Sequence, residues 1–246
     1  MAVIWEHSAG GRRYEIRKAG RSIRLYTNGV LHTQYHPGRT FGGGVWDLLG
    51  LPALWRAGAP LSGILLLGLG GGAVVRQLHD MVEWTRLVAI ERNPVHVEIA
   101  RRFFGLDAVP AELVEVDAGE WVKAHAGERF DLVIDDLFSD SHSEARRSQP
   151  LSRDWYRRLI RLLSEQGILV INFADGRDLE HLIRRIPAVR RDFQRVYKLT
   201  LPAYGNAVAV LLRGEGEPGE LSRAVDAIRP RRRTAKLRYH LERVAL

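Results

Sequence analysis

The 246-residue sequence contains no cysteine, only four lysines among its 37 basic residues, and no long apolar run. The lack of cysteine excludes a disulfide scaffold, a thiolate zinc site and a cysteine nucleophile. The longest apolar runs, at residues 64–67 and 207–212, fall far short of the ~20 residues that span a bilayer. The first residues lack a basic segment followed by an apolar one, which predicts no signal peptide. We therefore expect a cytoplasmic protein without a membrane partner.

The composition and the placement of charge indicate a globular chain with two basic ends. Hydrophobic residues make up 46% of the sequence, enough for one large domain, alone or with a small appendage. Residues 1–59 carry a net charge of +5, residues 60–212 of −1 and residues 213–246 of +4. Basic ends can bind nucleic acid, but an excess of arginine over lysine is also typical of a compositional bias. Nucleic acid thus stays open as a partner.

The N-terminal part of the chain has the pattern of short strands and turns. Alternating polar and apolar residues predict strands at 13–18, 22–26 and 30–35, and the Asn28-Gly29 pair predicts a hairpin turn between the last two. We expect a small antiparallel β domain over residues 1–59, ending in a short helix.

From residue 60 onwards strands and helices alternate, as expected for a parallel sheet covered on both faces. Predicted strands lie at 64–67, 86–90, 113–116, 132–134 and 167–173. Two further strands, at 193–200 and 207–213, follow each other without a helix, which predicts one antiparallel strand, and the remaining residues are predicted to be helical. This is the pattern of a Rossmann-like class I methyltransferase fold, with a mostly parallel seven-stranded sheet, over residues 60–246.

Polar residues follow the predicted strands at the sheet edge where ligands bind in such folds. Gly68, Gly70, Gly71 and Gly72 follow the first strand and let the backbone approach a ligand closely. With Ala73 they also match a nicotinamide-cofactor pattern, and a plain strand-to-helix turn is the simplest alternative.

Two acidic positions follow the next strands. Glu91 ends the second strand, where a carboxylate accepts hydrogen bonds from ribose hydroxyls; the alternative is a surface glutamate paired with Arg92. Asp117 and Ala118 follow the third strand, where an acid can receive an adenine amino group; the alternative is a helix N-cap.

The fourth strand ends in two adjacent carboxylates, Asp135 and Asp136, both candidate site residues. Because neighbouring side chains of an extended chain point in opposite directions, only one of them is expected to face a ligand. That group would hold a cationic amine or take its proton; the alternative is a pair of solvated loop acids. The histidines, among them His32, His36 and His142, lack a metal-ligand spacing, so we predict no metal.

Taken together, the segments at 64–78, 87–105, 114–122 and 130–140 resemble the spermidine synthase family, and residues 24–34 resemble its N-terminal hairpin. The resemblance implies a methyltransferase-like domain with a small N-terminal β domain, assembled as a homodimer. It implies a role in polyamine biosynthesis, with decarboxylated S-adenosylmethionine as donor and an amine such as putrescine as acceptor. It further implies that Glu91 holds the ribose, Asp117 and Ala118 hold the adenine, and Asp136 is the catalytic base. Gln149, Pro150 and Leu151 would lie in a loop that closes over the nucleoside.

The sequence departs from that family at the amine end of the expected site. The family has an aspartate at the position of Gly71, where it pairs with the donor's ammonium group, and an acid at the position of Ser139, next to Asp140. A Tyr-His-Glu segment is replaced by residues 42–47, in which Asp47 is the only acid. Two alternatives follow: a methyltransferase that uses intact S-adenosylmethionine, or a non-catalytic nucleoside-binding relative. A nicotinamide-dependent enzyme is the least favoured.

Overall fold

The computed structural model describes residues 1–139, 146–232 and 237–245, without the side chains of residues 139 and 229–232. It contains a four-stranded sheet at the N-terminus, a large eight-stranded sheet and a two-stranded pairing. The N-terminal sheet consists of four consecutive antiparallel strands: β1 (Ala2–Ala9), β2 (Arg12–Ala19), β3 (Ser22–Thr27) and β4 (Val30–Tyr35).

The β3–β4 hairpin turns at Asn28 and Gly29, as the sequence predicts. Both residues have positive φ angles, of 50° and 82°, which is the conformation that Asn-Gly favours in a tight hairpin. The strand β1 was missed by the sequence analysis. Its residues are mostly exposed, so its position depends on pairing with β2 rather than on its own pattern of burial.

The large sheet contains eight strands in the order β14-β12-β13-β11-β8-β5-β6-β7. Their bounds are β5 (Leu61–Leu67), β6 (Trp84–Glu91), β7 (Glu112–Glu115), β8 (Phe130–Asp135), β11 (Leu163–Phe173), β12 (Arg195–Thr200), β13 (Ala207–Leu212) and β14 (His240–Arg243). The remaining pair, β9 (Phe138–Ser139) and β10 (Arg146–Arg147), is antiparallel.

The predicted fold class is confirmed. Strands β5, β6, β7, β8 and β11 pair in parallel, and β13 runs antiparallel between β11 and β12. The predicted helical C-terminus is wrong at its end, because β14 adds an eighth strand antiparallel to β12. That strand is short and partly exposed, so its sequence carries little of the apolar alternation that identifies strands.

Within the described residues, eight α-helices and two short 3₁₀ helices connect the strands. The α-helices are α1 (Val45–Gly50), α2 (Ala73–Met81), α3 (Pro94–Phe104), α4 (Ala118–Ala124), α5 (Arg153–Arg161), α6 (Gly176–Arg185), α7 (Ala188–Asp192) and α8 (Pro218–Arg232). The 3₁₀ helices span Leu51–Arg56 and Leu106–Ala108. The sequence pattern favours a single helix over residues 178–189, but the structure has two, α6 and α7. Pro187 lies between them, because proline has no amide hydrogen with which to continue a helix. No helix of the described residues is long and apolar enough to cross a membrane.

The central strand shows why both faces of the large sheet are covered. Ile64, Leu65, Leu66 and Leu67 in β5 are all completely buried. Since successive side chains of a strand point to opposite faces, Ile64 and Leu66 pack with α1, α2, α3 and α8, while Leu65 and Leu67 pack with α4 to α7.

The N-terminal sheet belongs to the first of these two clusters. Tyr14, Ile16 and Leu25 are buried in the same hydrophobic core as Leu66. The division into residues 1–59 and 60–246 stays a prediction, because one continuous core joins the two parts.

Candidate active site

A cavity of about 570 Å³ lies at the carboxyl ends of β5, β6 and β8, and the N-terminal sheet contributes part of its wall. This is the edge at which open α/β sheets bind their ligands. Six of the predicted site residues line it: Gly68, Gly70, Glu91, Asp117, Ala118 and Asp136.

Gly68 directly follows β5, and its backbone lies close to the backbone of Asp136. Gly68 has a φ of +91°, and a Cβ at this position would overlap the carbonyl oxygen of Asp136. Its amide donates to the carbonyl of Ile90 over 3.0 Å. Only glycine combines this backbone conformation with so close an approach, which brings the glycine turn and the end of β8 together at the cavity.

Gly71 and Gly72, by contrast, are not among the residues that line the cavity, contrary to the sequence prediction. The Gly71 amide donates to Thr33 Oγ1 over 2.7 Å, and a Cβ at Gly71 would lie 2.9 Å from Cζ of Phe104. The Gly72 amide donates to the carbonyl of Leu69 over 2.9 Å. These two glycines allow close packing against the N-terminal sheet and α3, a tertiary contact that the local sequence pattern does not contain.

Glu91 lies at the end of β6 with its carboxylate held by backbone amides. The carboxylate accepts from the amides of Gly70 (3.1 Å) and Asn93 (2.9 Å), and its Oε2 is 3.8 Å from Nδ1 of His96. Burial alone would raise the pKa of Glu91, but His96 and the two amides hold it below its ordinary value. With a side chain only 11% exposed, Glu91 is not the surface residue of the alternative interpretation.

Asp117 caps a helix and also lies at the edge of the cavity. Its Oδ1 accepts from the amides of Gly119 (2.8 Å) and Glu120 (3.2 Å), which makes it the N-cap of α4. The residue is exposed and also lines the cavity together with the buried Ala118. The cap fixes the carboxylate at the cavity edge.

Asp135 and Asp136 point in opposite directions, as the extended chain predicts. Asp135 is completely buried and accepts from Arg147 Nη2 (2.7 Å) and Trp155 Nε1 (2.9 Å). Its place among the ligand-binding candidates is therefore not supported, since its hydrogen bonds go to the protein on the far side of the strand. Asp136 is half-buried and lines the cavity.

Two asparagines that the sequence analysis missed hold Asp136. Asn172 at the end of β11 donates from Nδ2 to Asp136 Oδ1 over 2.7 Å, and Asn206 donates to Asn172 Oδ1 over 3.2 Å. Burial, together with the charges of Asp135 and Glu91, raises the pKa of Asp136 to about 7, against the opposing effect of Asn172 and Arg147. Asn172 interrupts the apolar run at residues 168–173 of β11, and this contrast is the signal by which it could have been found.

The start of α1 lines the cavity through Val45 and Trp46, and the glycine-rich segment before it binds Asp47. Asp47 is buried and accepts from the amides of Gly42 (3.1 Å) and Gly43 (2.6 Å) and from Gln77. Burial raises its pKa to about 6. Asp47 is not among the residues lining the cavity; its neighbour Trp46 is, together with Tyr204.

Only one of the three residues of the predicted closing loop lines the cavity. Gln149 lines the cavity, whereas Pro150 and Leu151 do not. Asp140, His142 and the side chain of Ser139 lie outside the described residues. Within the described part of the chain, no cluster of three or more His, Asp or Glu residues could hold a metal ion.

The comparisons with known proteins begin with polyamine aminopropyltransferases. The enzyme of Neisseria meningitidis serogroup A is 30% identical over 151 residues, which cover 60% of this chain and 55% of the relative. The enzyme of Pyrobaculum arsenaticum is 30% identical over 179 residues, covering 65% and 59%. The chain thus spans somewhat more than half the length of these relatives. No family model matches it.

Solved structures of spermidine synthases share the fold. A spermidine synthase in complex with the transition-state analogue AdoDATO matches with a TM-score of 0.65 at 18% identity, over 97% of this chain and 80% of its own. A probable spermidine synthase from Corynebacterium glutamicum matches with a TM-score of 0.71 at 16% identity, over 99% and 91%. The chain is therefore similar to polyamine aminopropyltransferases in sequence and to spermidine synthases in fold.

Methyltransferases are also among the proteins that this chain resembles. The eEF1A lysine and N-terminal methyltransferase of Danio rerio is 25% identical over 181 residues, covering 69% of this chain and 25% of the relative. Human methyltransferase-like protein 13 in complex with SAH matches with a TM-score of 0.58 at 19% identity, over 79% of this chain and 90% of its own. The fold is therefore shared by two groups of transferases.

Proposed function

We propose that the protein is a transferase that binds a sulfonium adenosyl nucleoside and transfers an aminopropyl group from decarboxylated S-adenosylmethionine to an amine such as putrescine. The observation that carries this proposal is the pair of carboxylates in one cavity. Glu91 and Asp136 both line it, on either side of the glycine turn at Gly68 and Gly70. The relatives named polyamine aminopropyltransferase support the same chemistry.

Glu91 and Asp117 are the proposed nucleoside ligands. A carboxylate oxygen has two lone-pair sites, so Glu91 retains acceptor capacity for ribose hydroxyls beside the amides of Gly70 and Asn93. Asp117 Oδ1 is used by the N-cap of α4, which leaves Oδ2 as the proposed acceptor for the adenine amino group.

Asp136 is the proposed base. An amine attacks only through its uncharged form, and a base is most effective when its pKa lies near the working pH; burial gives Asp136 a pKa of about 7. As the amine nitrogen bonds to the carbon beside the sulfonium, the carbon–sulfur bond breaks and a neutral thioether leaves. Asp136 takes the proton that the nitrogen loses.

A methyltransferase that uses intact S-adenosylmethionine is the second candidate, and Gly71 is the observation that favours it. The family's aspartate, which pairs with the donor's ammonium group, has no counterpart at Gly71, and Phe104 and Thr33 fill the space around this glycine. The eEF1A methyltransferase relative is consistent with this alternative. A third candidate, also based on the missing aspartate at Gly71, is a protein that binds the nucleoside without catalysing a reaction.

Calorimetric titration of the purified protein with S-adenosylmethionine and, separately, with its decarboxylated form tests the proposal. We expect the decarboxylated donor to bind more tightly and putrescine to be consumed in its presence. Tighter binding of the intact donor would instead support the methyltransferase alternative. Binding of neither compound would overturn the nucleoside site itself.

Other properties, expected from the composition or implied by the resemblance, are also proposals. They comprise the homodimeric state, the cytoplasmic location and the role in polyamine biosynthesis; a nucleic-acid partner is open under the methyltransferase alternative. Sedimentation equilibrium at several concentrations tests the first, with twice the 27.8 kDa chain mass as the expected result.

A further inference from the structure

His96 lies between the proposed ribose carboxylate and the N-terminal sheet. It is the third residue of α3, it is 6% exposed, and it lines the cavity. Its Nδ1 is 3.8 Å from Oε2 of Glu91, and its Nε2 is 2.9 Å from Oγ1 of Thr27 at the end of β3. The imidazole thus connects a carboxylate of the large sheet to a hydroxyl of the small one.

Two aromatic rings also pack against the imidazole of His96. The ring of Tyr14 meets it edge-on at 5.7 Å between centroids, and the ring of His32 lies at 5.2 Å. Tyr14 also accepts from Asn93 Nδ2 over 3.0 Å through its hydroxyl. The titratable groups that face His96 are therefore Tyr14 and His32 from the N-terminal sheet and Glu91 from β6, with Arg12 of β2 lining the same cavity.

We propose that His96 is a positioning residue for Glu91, held in place by Thr27, so that the N-terminal sheet helps to set the affinity for the nucleoside. This inference rests on the proposed function, because it takes Glu91 as the ribose ligand. It assigns the small sheet a role in ligand binding in addition to its role in the core.

The chemistry of the three groups explains the arrangement. A histidine presents a proton to a carboxylate only in the tautomer that carries hydrogen on Nδ1, or when both nitrogens are protonated. The Thr27 hydroxyl can donate to Nε2 in the first state and accept from it in the second. Thr27 therefore satisfies the buried imidazole in both states that direct a proton at Glu91.

The same contact determines the pH range over which Glu91 stays ionised. Burial raises the pKa of this carboxyl, and the imidazole of His96, 3.8 Å from Oε2, acts in the opposite direction. Without a protonatable group at position 96, Glu91 would take up its proton at a higher pH. Nucleoside binding would then fail at a pH at which the native protein still binds.

The test compares His96→Phe, His96→Gln and Thr27→Val with the native protein in calorimetric titrations with S-adenosylmethionine from pH 5.5 to 8.5. For His96→Phe and Thr27→Val we expect affinity at pH 6 to fall roughly tenfold, because Glu91 loses the oriented imidazole that holds its pKa down. His96→Gln keeps a donor that cannot become charged, so the pKa of Glu91 should rise and affinity should be lost at a higher pH than in the native protein. Thr27→Ser restores the hydroxyl and is expected to restore the affinity.

Two substitutions outside the cavity serve as matched controls. Thr40→Val removes another buried threonine hydroxyl, which donates to Asp80 Oδ2 over 3.2 Å. His125→Phe replaces another histidine, whose ring stacks on that of Trp121 with 4.5 Å between centroids. Both are expected to leave the affinity for S-adenosylmethionine unchanged at every pH.

The outcomes separate this inference from the proposed function. If the native protein binds neither S-adenosylmethionine nor its decarboxylated form, the proposed function fails and this inference fails with it. If the native protein binds and the His96 and Thr27 variants bind within twofold of it at every pH, only the role of His96 is overturned. Should His96→Phe or Thr27→Val not fold, the pH dependence of His96→Gln decides, and an acid limb identical to the native one would overturn the inference.

Discussion

Asn172 donates a hydrogen bond of 2.7 Å to Oδ1 of Asp136, across the gap between the ends of β11 and β8. The hydrogen bond stabilises the charged form of the carboxylate and lowers its pKa, against the larger effect of burial. It also engages one oxygen, which fixes the orientation of the carboxylate that we propose to take the proton of the amine. Asn172 thus sets both the orientation and the proton affinity of the proposed base.

Replacing Asn172 by leucine should move the pH dependence of turnover. Loss of the hydrogen bond raises the pKa of Asp136 above about 7, so the acidic limb of the rate profile should shift upward by roughly one pH unit. Steady-state rates from pH 5.5 to 9 measure this. Asn206→Ala, one hydrogen bond further from the carboxylate, should produce a smaller shift, and an unchanged profile in both variants would contradict the role of Asn172.

Asp136→Asn should abolish turnover and leave nucleoside binding nearly intact. The same variant should change stability with pH. Because the folded-state pKa of Asp136 is raised from 3.8 to about 7, this carboxyl contributes stability that is fully present below pH 3.8 and is lost as the pH rises through 7. The variant should therefore be more stable than the native protein at pH 8, as measured by urea unfolding.

A control for that stability effect is Glu112→Gln at the start of β7. Glu112 is exposed and pairs with Arg86 at the surface, so its loss should change the free energy of unfolding little at either pH. Equal stability of Asp136→Asn and the native protein at both pH 5 and pH 8 would argue against a raised pKa.

Glu91→Ala should weaken nucleoside binding at least tenfold, since the ribose would lose hydrogen bonds to a charged acceptor. Glu115 offers a matched control, because it is exposed and lies opposite Glu91 in the register of the parallel strands β6 and β7. Calorimetry on Glu115→Ala should give the native affinity. An unchanged affinity in Glu91→Ala would remove Glu91 from the ribose site.

Gly71→Asp should destabilise the protein rather than create a preference for the decarboxylated donor. The new Cβ would lie 2.9 Å from Phe104 Cζ and 3.1 Å from Thr33 Cβ, and overpacking of this kind costs roughly 1–3 kcal/mol. Thermal unfolding should show the loss in Gly71→Ala as well, with partial recovery when Phe104→Leu is added. A stable Gly71→Asp variant with tighter binding of the decarboxylated donor would contradict this packing argument.

The sequence predicts those features whose causes are local. The apolar run at 64–67 and the acids Glu91 and Asp136 follow from strand periodicity and from the position of strand ends, and the structure brings both acids to the cavity. The Asn28-Gly29 hairpin is equally local, since two residues fix its conformation.

The features that were missed depend on contacts between distant parts of the chain. The roles of Gly71 and Gly72 follow from Thr33, Phe104 and Leu106, and β1 and β14 exist through pairing with neighbouring strands. Sequence periodicity gives no information on such contacts, so these residues could not be placed before the structure was known.

The buried Asp135 has a consequence for the chemistry that its neighbour is proposed to perform. Arg147 and Trp155 hold Asp135 from behind, and the Asp136 amide donates to the carbonyl of Leu67 over 2.9 Å. The backbone under the proposed base is therefore fixed before any substrate arrives. The entropy of orienting that carboxylate is lost once, when the chain folds, and the reorganisation at each turnover is correspondingly small.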